Sequence, residues 1–457
     1  MRATSVRGFQ GEDAGAGAAP MPHTGDLNTK DRISAILAAC AGNMVEWFDF
    51  FVYAYTAIYF AAVFFPSESQ TAQLLSTAAV FAVGFFMRPL GGWFFGRLAD
   101  TRGRKLAMTA SVSLMCVGSL IIAILPGYAQ IGVLAPALLL FARLLQGLSV
   151  GAEYGTGATY LSEVATKGRR GFYGSLQYMT IVAGQLLALL TIVCLQQLLS
   201  ADDLNAWGWR IPFFMGAAGA VTVFYLRRNM VETTTSSSMK RRDAGSLRAM
   251  FRHRKAVALV LFFTIGGSLY FYTFTTYMQK FLVLSGGFTP ARASLVMTSA
   301  LVCFMVMQPL FGMLSDRLGI RTHMRLFTGL ATLLVAPILY GIQSSGGNAV
   351  YAFLLVVGGL AIAAFYTPIA GLVKAGMFPT EIRALGVGFP YAVGNALFGG
   401  TAEYVALRLR DGGIETVYFY YVAVVCGTAF VAALVMPNLR VRGYLDGDGS
   451  MERRSGG

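Results

Sequence analysis

Twelve apolar runs divide the chain, at roughly residues 33–60, 72–96, 106–125, 131–155, 171–197, 209–226, 256–281, 292–314, 324–343, 349–373, 383–406 and 416–436. A helix of about 20 apolar residues crosses a bilayer, so each run predicts one span. Six runs lie on either side of a polar stretch, 227–255, which is rich in Ser, Thr and Arg and holds nine basic residues. The pattern predicts an all-α membrane protein with 12 transmembrane helices in two six-helix halves. The expected bounds are an N-terminal bundle over 33–226, a cytoplasmic linker over 227–255 and a C-terminal bundle over 256–437. Residues 1–32 and 438–457 are polar and glycine-rich, and are expected to be cytoplasmic tails, the first of them disordered. Residues 1–30 hold no apolar core of a signal peptide.

The halves echo each other. Residues 88–105 read RPLGGWFFGRLADTRGRK and residues 311–325 read FGMLSDRLGIRTHMR, which puts Asp100 and Asp316 216 residues apart. Glu163 in YLSEVATKGRRG and Glu381 in GMFPTEIRALG are 218 apart. Two pairs at nearly one separation mark a duplicated unit with acids at the same end of each copy. Asp100, Arg104 and Glu163 are expected to form a charge network that latches the inner side. Asp316 and Glu381 would repeat it more weakly, because the second copy has fewer arginines.

Composition agrees with the spans: 56% hydrophobic and only 13% charged residues, with a mean hydropathy of +0.60. The net charge of +14 raises nucleic acid as a partner, but its distribution removes that reading. With both termini inside, inward segments hold 28 Lys and Arg and outward segments 5, with three left inside spans. Basic loops on the cytoplasmic side orient helical membrane proteins. The five cysteines lie in apolar runs without paired spacing and read as small hydrophobes. His23, His253 and His323 fall in polar segments. No metal site, cofactor or membrane enzyme is expected. Most of the 53 glycines suit close helix packing, and Pro89, Pro309 and Pro390 are expected to kink spans.

Ionisable residues at membrane depth are costly and usually functional. Glu46, Asp49 and Tyr53 in GNMVEWFDFFVY share one helix face. Arg88 lies near the inner end of the second run, Arg143 near the middle of the fourth, Glu153 further in, and Lys374 at the inner end of the tenth. One alternative is a set of buried ion pairs between helices, such as Glu46 or Asp49 with Arg143. As a set the residues suit a site for an organic anion coupled to protons: a buried acid can carry a proton, and an arginine can take a carboxylate bidentately. In SLYFYTFTTYMQK, residues 268–280, Tyr272 and Thr276 could line a cavity or belong to an interfacial aromatic belt. Gln177, Tyr178, Gln185, Tyr391 and Asn395 are further cavity candidates.

GRLADTRGRK after the second run resembles the signature of the major facilitator superfamily, and RLLQG at 143–147 its fourth-span motif. GNMVEWFDFFVY and LSVGAEYGTGATYLSEVA resemble the metabolite:proton symporter family within it. That family takes up dicarboxylates, citrate, shikimate, or proline and betaine. GFYGSLQYMT, GQLLALL, WGWRIPF, FYTFTTYMQK, MFPTEIRALGVG and FGGTAEYVAL are similar to its bacterial α-ketoglutarate carriers over nearly all of residues 33–430. The resemblance implies the major facilitator fold, alternating access, and proton-coupled symport of α-ketoglutarate across a bacterial inner membrane by a monomer. It makes Arg104 and Arg210 important. Arg102 stands where enterobacterial members are expected to have His, which removes a loop-histidine role. The expected roles are substrate binding by Arg88, Arg143, Tyr53, Gln177, Tyr272, Thr276, Tyr391 and Asn395, with Lys280 and Arg210 at the outer mouth. Proton coupling falls to Glu46, Asp49 or Glu153, and gating to Asp100, Arg104, Glu163, Asp316 and Arg210. The alternatives are another dicarboxylate or a tricarboxylate, a zwitterion such as proline or betaine, and a membrane sensor that transports nothing.

Overall fold

The computed structural model of the protein describes residues 29–67, 70–165, 168–227, 245–439 and 443–445. The expected tail over 1–28, the linker residues 228–244 and the chain after 445 lie outside the described residues. Within them the chain is helical and contains no strand. In lipid, helices satisfy their own backbone polar groups.

The first span is Thr29–Phe64. The second breaks at Met87, giving Gln70–Phe86 and Arg88–Arg102. Pro89 follows the break, where its missing N–H is harmless. The third to sixth spans are Arg104–Ile124, Leu134–Val164, Arg170–Leu198 and Ile211–Arg227. The seventh runs Arg254–Tyr272 and Met278–Leu284 around a π segment, Thr273–Tyr277. Then come Pro290–Leu318 and Ile320–Gln343. The tenth is Ala349–Ala363 and Ala370–Ala375, interrupted at Thr367–Ile369 by Pro368. The eleventh is Arg383–Gly394 and Ala402–Asp411 around a second π segment, Asn395–Gly399. Glu415–Val435 ends the set. Pro309 and Pro390 stay inside continuous helix.

Ten spans among the described residues are long and apolar enough to cross a membrane. The other two are the first, which carries Asn43, Glu46 and Asp49, and the eleventh, with its π segment and its polar end at Glu403, Arg408 and Arg410. His323 corrects the reading of a polar segment: it is fully buried in the first turn of the ninth span, with its ring 5.5 Å from that of Phe365.

The duplication is visible in the backbone. Gly103 (φ 107°) joins the second and third spans, and Gly319 (φ 91°) joins the eighth and ninth. Both turns use a left-handed conformation that glycine adopts without strain. The halves meet where the fifth span packs on the eighth and the second and fourth on the eleventh. A Cβ on Gly155 would lie 2.6 Å from the Cα of Gly388, and one on Gly171 2.4 Å from the carbonyl of Gly312. The seam therefore admits no side chain at these points.

Candidate functional site

Between the halves lies a cavity of about 10 Å³, room for about one water, lined by Trp47, Tyr178, Ile181, Ser268, Phe271, Tyr272, Tyr391 and Asn395. It is far below the roughly 300–1,000 Å³ of typical ligand pockets, so the halves are closed on each other here. Of the residues expected to bind substrate, Tyr272, Tyr391 and Asn395 line it. Asn395 Nδ2 donates to the Tyr391 hydroxyl (3.4 Å), while its buried Oδ1 has no protein partner.

Arg88 stands at the edge of this cavity and is 1% exposed. The break at Met87 turns it inward. Its guanidinium lies over the rings of Phe85 (3.7 Å), Phe50 (4.6 Å) and Trp47 (5.7 Å). Nη1 donates to the Tyr272 hydroxyl at 3.4 Å. Nε and Nη2 have no hydrogen-bond partner, and among the described residues no carboxylate pairs with it. Aromatic faces offset part of a cation's desolvation, but they leave its N–H groups aimed at nothing.

The acids of the first span do not reach this cavity. They form a ladder with the fourth span, which runs the opposite way. Ser149 Oγ lies 3.0 Å from Glu46 Oε1 and 2.8 Å from the Ser111 carbonyl. Gln146 Nε2 donates to Asp49 Oδ2 (2.5 Å) and Ser119 Oγ (3.1 Å), and Arg143 Nη1 donates to Gln146 Oε1 (2.7 Å). Arg143 itself stacks over Tyr53 at 4.2 Å, and the Tyr53 hydroxyl donates to the Thr77 carbonyl (3.1 Å). The direct Asp49–Arg143 ion pair considered from sequence is replaced by a bridge through Gln146. Gly216 gives the carboxylate room, since a Cβ there would lie 2.5 Å from Asp49 Oδ1. Arg143 and Tyr53 thus sit with the acids, away from the cavity lining. The side chain of Glu153 lies outside the described residues.

Other expected residues stand further off. The Gln177 amide donates to the Tyr154 carbonyl (3.4 Å). Thr276 keeps a buried hydroxyl without a protein partner. Lys280 is half exposed and pairs with Glu403. Arg210 donates to the Leu125 and Ala206 carbonyls (3.1 Å each) and stacks on Trp209 (4.1 Å). It ties down a loop at the end of the bundle opposite Asp100.

At the Asp100 end the halves are bound together. Asp100 accepts the backbone N–H groups of Ala384 (3.2 Å) and Leu385 (3.0 Å), and pairs with Arg104 at 2.6 Å. Asp316 accepts those of Gly171 (2.7 Å) and Phe172 (3.1 Å). Each carboxylate therefore caps the N-terminus of a helix in the other half, where orphan donors and the helix dipole favour negative charge. Glu163 joins Arg104 (3.3 Å) to Arg383 (2.8 Å). Arg383 was not singled out from sequence, although it stands two residues after Glu381 in the duplicated segment. The chain end adds a strap: Tyr444 N–H donates to the Gly376 carbonyl (3.0 Å), and Arg170 Nη2 donates to the Leu445 carbonyl (2.8 Å).

Two helical halves, bound together at the Asp100 end, enclose a small cavity lined by aromatic and polar side chains. Residues 34–255 match the sugar (and other) transporter family. The chain is 55% identical over 409 residues to the alpha-ketoglutarate permease of Escherichia coli (strain K12), covering 90% of this chain and 94% of that protein. It is 33% identical to the citrate-proton symporter of Salmonella typhi, over 93% and 98% of the two chains. Among solved structures, the major facilitator superfamily proton:xylose symporter XylE, bound to 6-bromo-6-deoxy-D-glucose, superposes with a TM-score of 0.74 at 17% identity, covering 90% and 96%. The chain belongs to the same family of membrane transporters as that alpha-ketoglutarate permease. It is a membrane transporter and not an enzyme.

Proposed function

We propose that this protein carries α-ketoglutarate together with protons by alternating access, with the Asp100 end facing the cytoplasm of a bacterial cell and the substrate held in the cavity between the halves. The observation that carries this reading is Arg88: a buried guanidinium at the cavity, with two nitrogens that have no hydrogen-bond partner and no carboxylate paired with it among the described residues. An unpaired buried charge is strongly unfavourable, and an incoming carboxylate relieves it. The 55% identical relative named as an alpha-ketoglutarate permease supports this solute. The excess of basic residues at the Asp100 end supports the orientation.

The acid ladder supports proton carriage. Ser149 has one hydroxyl proton and faces two acceptors, Glu46 and the Ser111 carbonyl. Both contacts are satisfied together when Glu46 carries a proton. Asp49 holds Gln146, and Gln146 holds Arg143, so protonating Asp49 loosens that arginine's tether. Substrate and proton then favour each other's binding, which is coupling by linkage. Rocking breaks the Asp100 and Asp316 caps and opens the cavity inward.

The test is counterflow of labelled α-ketoglutarate in proteoliposomes, with unlabelled succinate, citrate, proline and betaine as competitors. Exchange of α-ketoglutarate, blocked by neither proline nor betaine, is the expected result. Exchange of a zwitterion in preference to any dicarboxylate would overturn it.

A further inference from the structure

Lys374 is a buried cation contributed by the C-terminal half. It lies beyond the Thr367–Ile369 break in the tenth span and is 0% exposed. Its ammonium donates to the Tyr154 hydroxyl at 2.7 Å. It also lies over the rings of Tyr154 (4.5 Å) and Tyr391 (4.4 Å). Those two rings come from opposite halves and stack on each other with centroids 3.4 Å apart. Among the described residues no carboxylate pairs with Lys374. An ammonium has three donors, and here one is spent on a neutral hydroxyl while the others meet aromatic faces.

Tyr391 connects this group to the cavity. One ring serves as cavity wall and as cover for the ammonium. Arg88 stands at another edge of the same cavity, linked through Tyr272. The two cations belong to different halves, and among the described residues neither is paired with a carboxylate.

We propose that Lys374 anchors the second carboxylate of the substrate, giving up the Tyr154 hydroxyl for it when the Tyr154–Tyr391 stack parts. This rests on the reading of the cavity as a site for an organic dianion. It extends that reading: Arg88 of one half and Lys374 of the other hold the two ends of one molecule. The substrate then bridges the seam, and solutes with one carboxylate are disfavoured because they leave Lys374 unpaired.

The test compares binding of α-ketoglutarate, succinate and citrate with that of 2-oxopentanoate, which lacks the far carboxylate. Wild-type protein is set beside Lys374→Gln, Lys374→Arg and Tyr154→Phe. Charge-assisted hydrogen bonds imply that Lys374→Gln weakens the dicarboxylates by about 10- to 100-fold. Binding of 2-oxopentanoate stays unchanged, and Lys374→Arg keeps the preference. Tyr154→Phe, which frees the ammonium without touching the cation, tightens the dicarboxylates by about 2- to 10-fold. It reads the same proposal if Lys374→Gln does not fold. A dianion preference retained in Lys374→Gln, an equal loss for both ligand classes, or weaker dicarboxylate binding in Tyr154→Phe would overturn the proposal. Wild-type protein that binds succinate or citrate but not α-ketoglutarate contradicts the proposed solute alone and leaves the Lys374 comparison readable. Wild-type protein with no preference for dicarboxylates overturns both.

Discussion

The two halves are alike where they move and unlike where they do chemistry. At the Asp100 end each half offers one aspartate to the first turn of a helix in the other, and each makes the turn that follows its aspartate with a positive-φ glycine, Gly103 or Gly319. In the interior the resemblance ends. The N-terminal half buries Glu46, Asp49, Arg88 and Arg143, whereas the C-terminal half buries Lys374 among tyrosines. Rocking requires matched latches, so the duplicated loops stayed matched. The proposed proton path is needed only once, which fits acids buried in one half alone among the described residues.

This contrast can be broken in order of expected effect. Arg88→Gln removes the cation at the cavity. Loss of one partner of a buried charge pair implies weakening of α-ketoglutarate binding by about 30-fold or more, read as the half-saturation of counterflow. Asp49→Asn removes the carboxylate that holds Gln146. Uptake driven by a pH gradient falls by about 5- to 150-fold, the range of typical coupling energies, while counterflow without a gradient persists. Equal loss of both activities would remove Asp49 from the proton path.

The latches differ in strength, and this sharpens the comparison. Asp100 is fully buried and sits in the Arg104–Glu163–Arg383 network; Asp316 lies nearer the surface. Loss of a helix cap costs about 0.5–2 kcal/mol. Asp100→Asn and Asp316→Asn should both raise the labelling of a cysteine placed at the seam below the cavity, Asp100→Asn by more. Equal labelling would make the latches equivalent. The smallest effect is expected from ending the chain after Leu439. This removes the bonds of Tyr444 and Leu445, each worth about 1 kcal/mol, and should speed opening by a few fold in the same assay.

The twelve spans, the duplication and the residues of the Asp100 latch were legible in the sequence, because they depend on periodicity and on repeated spacing; that this end is closed was not. Asp100, Arg104 and Glu163 form the expected network for the same reason. The interior was legible only as a set of charges. Sequence spacing puts Glu46, Asp49 and Tyr53 on one face, but it does not say which helix they meet. The antiparallel register with the fourth span decides that Gln146 and Ser149 are their partners, Gln146 one turn from Arg143 and Ser149 one turn from Gln146. Arg143 and Tyr53, expected in the binding site, are drawn to the acids by this register. Lys374 stood out as a charge inside a span, yet its place beside Tyr154 and Tyr391 depends on the break at Pro368 and on contact between halves. Neither leaves a local pattern.

Coupling of the solute to protons is tested most directly by the pH inside sealed proteoliposomes as substrate enters. Adding α-ketoglutarate outside should acidify the lumen of vesicles holding wild-type protein, and substrate entering through Asp49→Asn should carry no acid with it. Entry of α-ketoglutarate through the wild-type protein without lumenal acidification would contradict proton symport.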